Sequence, residues 1–238
     1  MKSTIHQTLD RWRQALVHEI PLSGLLNRNR TAHKWKSGYR ALVLRETLFW
    51  RMHDTLKQVM LLAEHHHGLG AQILLRSAIE CLALMTYSNQ RLAALVEGKL
   101  GFFDYLDVNS KLLLGSKDKS TKHEAVNILT VLQKVDQRYQ GILPFYNMIS
   151  ETAHPNFHGV CSGYSQVDTA THVTHFSNRW ATWWGPHQDN MVENCLEWFE
   201  HEYSTVFPGL FERMEAWVTE HDGELEAENQ RRAAAGRK

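Results

Sequence analysis

Between residues 4 and 19 the apolar positions Ile5, Leu9, Trp12 and Leu16 recur every three or four residues, with Ile20 following. That spacing gathers them on one face of an amphipathic α-helix. Pro21 and Gly24 end the pattern, and "SGLLNRNRTAHKWKSG" reads as a loop or a short helical turn. A second stripe runs from about Gly38 to His66 through Leu42, Leu48, Phe49, Met52, Leu56, Val59, Met60 and Ala63. Gly68 and Gly70 close it, since glycine takes the left-handed cap conformation without steric cost. From Ala71 to Tyr87 the chain is apolar nearly all round, the pattern of a central helix covered on every side.

A further helix is predicted after Asn89, extended by "GFFDYLDV", with residues 109–121 as a connection. Thr121 and Glu124 have the spacing of a capping box, and Ala125, Ile128, Val131, Leu132 and Val135 follow in helical register. Gly141 closes that helix. Pro144 suits the first turn of the next, "PFYNMISETAH", and Pro155 ends it. Residues 156–188 are rich in Gly, Ser and Thr and form an irregular excursion, within which the alternating "THVTHF" predicts a short strand. A last long helix begins near Asp189 with Met191, Cys195, Trp198, Phe199 and Val206. Pro208 kinks or breaks it before Leu210, Met214, Trp217 and Val218 continue the stripe. After Asp222 apolar anchors are lacking, which reads as a frayed extension or a disordered tail. The expectation is an all-α bundle of six to seven helices: one domain over residues 1–221 and a charged tail over 222–238.

Charge and composition narrow the function classes. Lys plus Arg and Asp plus Glu balance at 26 each, so no global basic field recruits nucleic acid. The three cysteines, Cys81, Cys161 and Cys195, are far apart and form no C-x-x-C, which argues against a disulfide framework and for a reducing cytoplasm. The N-terminus lacks the apolar core of a signal peptide, and no run of about 18 apolar residues predicts a membrane span. No Gly-rich phosphate loop, G-x-S-x-G or H-E-x-x-H occurs, and no cofactor is expected.

The chemistry that stands out is in "LLRSAIECLALM". Arg76 and Glu80 are the only charges between Ala71 and Tyr87, one helical turn apart. Removing both from water costs several kcal/mol each unless partners are supplied. Arg before Glu is the weaker order for an i,i+4 pair, so partners are expected from elsewhere in the fold. In "FYNMISETAHP", Tyr146, Ser150 and His154 lie at i, i+4 and i+8 and form a polar stripe on one helix. Ser150 can accept from Arg76, and Tyr146 or His154 can donate to Glu80. The two helices are therefore expected to pack with these stripes facing.

At these residues the chain resembles an all-helical bacterial family of no assigned activity. Its members carry an Arg-Ser-x-x-Glu helix and, later, a Tyr-x-x-x-Ser-x-x-x-His-Pro segment. The resemblance covers roughly residues 45–160, and the group is broadly similar to HEPN domains, helical proteins of toxin and phage-defence systems. Active HEPN proteins are metal-independent ribonucleases with an Arg-x(4–6)-His motif, commonly joined across a dimer. Here that spacing occurs at Arg11–His18, Arg13–His18 and Arg28–His33. All three precede the region of resemblance and occur at about the frequency chance gives, so they carry no weight.

Several readings stay open. In the preferred one, Arg76, Glu80, Tyr146, Ser150 and His154 form a satisfied structural network in an interaction module, with a second copy of the chain as the candidate partner. In the alternative, His154 is a general acid or base on a ribose 2′-hydroxyl, Arg76 stabilises phosphate charge and Glu80 orients one of them. A third share goes to a small-ligand or protein-binding role for the same pocket. RNA as a partner has no support from net charge. Glu64–His67 and Glu151–His154 are both Glu-x-x-His, as in di-iron bundles, but the first sits at a helix end and Glu46 lies too far along the same helix to complete it. His154, His158, His172 and His175 read as solvated loop histidines rather than a zinc site. Trp180, Trp183 and Trp184 beside Arg179 could stack on bases, seal a core seam or form a dimer surface.

Overall fold

The computed structural model describes residues 2–235, without the side chains of residues 2–3, 181 and 183–188. The readings offered for the Trp183 and Trp184 side chains therefore lie outside the described residues. The described residues are about 75% helical with one small two-stranded hairpin. In order the elements are α1 (Lys2–Ala15), α2 (Leu22–Arg28), α3 (Arg30–His33), α4 (Ser37–Glu64), α5 (Gly68–Val96), α6 (Phe102–Leu114), α7 (Ile128–Val135) and α8 (Ile142–Ala153). A π-helical turn at Phe157–Ser162 leads to β1 (Ser165–Asp168) and β2 (Val173–Phe176), then to α9 (Trp180–Glu200). A second π turn (His201–Val206), α10 (Phe207–Glu220) and α11 (Asp222–Ala235) complete the chain.

Among the described residues eleven helices replace the expected six to seven, and several of the differences have a local cause. The two helices expected on either side of Asn89 are one, α5. Its polar Ser88–Gln90 stretch does not break the helix, because the Asn89 amide finds a distant partner, donating to Glu202 Oε2 (2.7 Å) and to the Glu202 carbonyl (3.0 Å). Thr121 does not cap α7; its hydroxyl donates to the backbone carbonyls of Leu114 and His123, and the cap is Asn127, whose Oδ1 accepts from the Leu129 amide at 2.9 Å. The last long helix starts at Trp180 rather than near Asp189, with Asn178 Oδ1 accepting the Trp180 amide. Pro208 sits in the first turn of α10, directly after the π turn that interrupts the stripe. The charged stretch after Asp222 is helical to Ala235 and buries Leu225. Lys34 and the Trp35 indole reach its first residue, Asp222, at 2.6 and 2.8 Å.

The chain divides into two compact units. The first holds residues 1–16, 48–84 and 127–200. Its core joins Trp12, Phe49 and Phe199, with Trp12–Phe49 and Trp12–Phe199 ring centroids 5.2 and 5.6 Å apart. Met52, Leu56, Ile79, Leu82 and Ile149 extend this core. The second unit holds residues 17–47, 85–126 and 201–238 and is built on Leu44, Leu92, Leu95, Phe102, Tyr105, Phe207 and Met214. It also buries Glu215 and His33, which pair through His33 Nε2 at 2.7 Å, while Glu215 accepts from Nη2 of the exposed Arg28 at 2.6 Å. Of the Arg28–His33 pair, the imidazole is sealed from solvent, whereas the arginine reaches Glu215 from the surface. Gly38 makes the packing possible, because a Cβ there would stand 2.8 Å from the His33 ring. By length and composition alone α5 could cross a membrane, a test that a core helix also passes; 56% of its most apolar stretch is buried within the protein.

Candidate functional site

Within the first unit α5 and α8 face each other through polar groups. Arg76 Nε donates to Ser150 Oγ at 2.9 Å and Arg76 Nη2 donates to the Tyr146 hydroxyl at 2.6 Å. That hydroxyl donates in turn to Glu80 Oε1 at 2.7 Å, and the direct Arg76–Glu80 contact is 3.3 Å. A guanidinium, a phenol and a carboxylate thus form a relay in which each bond polarises the next. Burial and the neighbouring carboxylate raise the Tyr146 pKa above its ordinary value, so the phenol stays a proton donor. The Arg76 charge only partly opposes that.

Two features differ from the sequence expectation. The charges are not fully withdrawn from water: the Arg76 and Glu80 side chains are 34% and 29% exposed. His154 does not join the network. Proline disfavours helical dihedrals in the residue before it, so α8 ends at Ala153 and His154, preceding Pro155, turns extended at φ −92° and ψ 149°, leaving its side chain exposed. The third rung is instead Thr152, whose hydroxyl donates to Gln72 Oε1 at 2.8 Å, both residues buried. Gln72, Arg76 and Glu80 stand at i, i+4 and i+8 on α5. The signal for Gln72 was its place one turn before Arg76, but a neutral amide raises no charge-burial alarm in a sequence.

The chain matches no protein-family model, no curated protein and no solved structure.

The other residues singled out in the sequence are scattered. His154 precedes the first π turn and His158 lies within it, both exposed, and His172 and His175 lie in or next to the hairpin. Glu64 pairs with His6 at 3.0 Å on α1. Among the described residues no group of three or more His, Cys, Asp or Glu is placed to hold a metal ion. Arg179 is committed to backbone, donating to the carbonyls of Ser165 (2.7 Å) and Ser162 (3.4 Å), and Trp180 is fully buried. Together they anchor the base of the hairpin.

A charged cleft between α1 and α4 was missed. It encloses about 190 Å³ and is lined by His6, Asp10, Arg13, His53, Lys57 and Glu64. His53 is 7% exposed and hydrogen-bonded to the backbone of Leu9. Burial holds its pKa below the ordinary value; the Leu9 bond and Asp54 oppose this, while Lys57 and Arg13 add to it. A histidine with a depressed folded pKa stabilises the fold above its unfolded pKa, and the contribution disappears as pH falls through the folded value. Urea unfolding between pH 7 and 5 is therefore expected to show stability falling with pH. One proton limits the His53 share to about 1.4 kcal/mol per pH unit. His53→Gln, which keeps a donor for Leu9, is expected to flatten that slope; an unchanged slope would show that the imidazole does not titrate with unfolding.

Proposed function

We propose that the protein is a HEPN-like, non-catalytic interaction module that associates with a second copy of itself through its hairpin. The observation carrying this reading is the exposed apolar face of the 157–176 segment. Phe176, Phe157 and Val167 are 81%, 68% and 61% exposed. The register pairs Ser165 with Phe176 and Val167 with Thr174. Opposed residues share a face, so Phe176 and Val167 are diagonal neighbours on one side of the ribbon.

A second copy is the occupant that the geometry favours. The sheet has two strands among the described residues, and all four residues of β2 are exposed. A lone two-stranded ribbon is marginal in water and presents an unpaired edge. Packing of this apolar face on the same face of a second copy about a two-fold axis is self-complementary and covers both Phe176 rings at once. The Arg76 network is consistent with a structural role, since the Nε–Nη2 edge of the guanidinium is engaged by α8 and His154 lies outside the network.

Sedimentation velocity from about 1 to 300 µM, the range of a modest interface, tests this. Wild type is expected to shift from monomer to dimer, and Phe157→Ser/Phe176→Ser to remain monomeric with unchanged helicity and melting temperature. A wild-type monomer at every concentration, or a dimer that survives both substitutions, would overturn the reading.

A further inference from the structure

Beside the α5–α8 pair lies a second cavity of about 190 Å³ in the first unit. Its walls are Ile79 and Leu82 of α5, Ile142 and Phe145 of α8, and Met191 and Trp198 of α9. We propose that this cavity is a binding site for a small aromatic molecule of one or two fused rings carrying a single hydrogen-bonding group.

The size supports it: a cavity of about 150 Å³ lined by Leu, Ile and Phe holds benzene. The lining has no charged side chain, which excludes nucleotides and other anions as ligands. Cys195 also lines it, and burial pushes that thiol up to about 12, so it presents a neutral, apolar sulfur. Water is a poor occupant because an ordered water needs two to four polar partners. Only two amides line the cavity: Asn194, half-buried, and Gln140, exposed at its edge. Among the described residues neither amide has a protein partner. An apolar ring with one polar group matches one such amide in an otherwise greasy wall. The aromatic wall is preformed, since Trp198 stacks on Tyr139 with centroids 4.8 Å apart and planes at 19°.

Calorimetric titration and thermal shift with toluene, phenol and indole test the site. At about ten times Kd, the melting temperature is expected to rise by roughly 3–6 °C. Asn194→Leu is expected to weaken phenol by about tenfold while leaving toluene unchanged, the loss of one hydrogen bond. Cys195→Leu, which fills the cavity, is expected to abolish the shift; Met191→Phe serves the same purpose should that variant not fold. No binding of any probe to wild type, or equal binding to a folded filled variant, would overturn the proposal.

Discussion

Replacing Trp180 by alanine is expected to lower the free energy of unfolding by about 3–5 kcal/mol, the range for deleting a fully buried tryptophan. Trp180 is 0% exposed. Its indole lies under Gly163, where a Cβ would stand 2.3 Å from the ring, and makes an edge contact with Tyr164 at 6.1 Å between centroids. Its own Cβ is 3.0 Å from the position a Gly68 Cβ would take, at the start of α5. One side chain thus fills the space between the α5 N-terminus and the base of the hairpin. Surrounding backbone cannot collapse into the void when it is removed, which places the cost at the upper end for core truncations. Urea unfolding measures the loss. Trp180→Phe is expected to lose less, because a ring remains over Gly163. Both variants are expected to weaken self-association, since the ribbon that carries Phe176 rests on this indole.

Arg76→Ala is expected to cost about 2–3 kcal/mol and to lower the melting temperature by about 5–10 °C. The substitution strands Glu80 beside Tyr146 with no cation and leaves Ser150 without its donor. Removing one member of a fully buried pair costs about 3–5 kcal/mol, and partial hydration of Glu80 places this case lower. Arg76→Lys is expected to recover only part of the loss. One ammonium cannot match the planar fork that reaches Ser150 through Nε and Tyr146 through Nη2. A melting temperature within about 1 °C of wild type for Arg76→Ala would show that solvent, not α8, satisfies these charges.

The α5–α8 pairing was legible in the sequence because two charges in an otherwise apolar helix called for partners and Tyr146 and Ser150 repeat at helical spacing. His154 fits the same spacing on paper, but Pro155 controls its backbone, so a spacing argument overreached by one turn. Gln72 and Thr152 escaped notice because neutral polar residues are common in helices of either environment. Asn89 looked like a helix boundary since its partner, Glu202, is more than a hundred residues away. Half of the hairpin was visible through the alternation of "THVTHF", whereas "SQVD" has too little alternation to identify its mate. The cavity was invisible. Met191, Cys195 and Trp198 make an ordinary core stripe, and unfilled volume is a property of how helices meet.

The central claim is that the α8 hydroxyls satisfy the α5 charges, and a double-mutant cycle of Arg76→Met and Tyr146→Phe in urea measures that coupling. The expected result is an interaction energy of about 1–2 kcal/mol between the two sites. Additivity to within about 0.5 kcal/mol would contradict it.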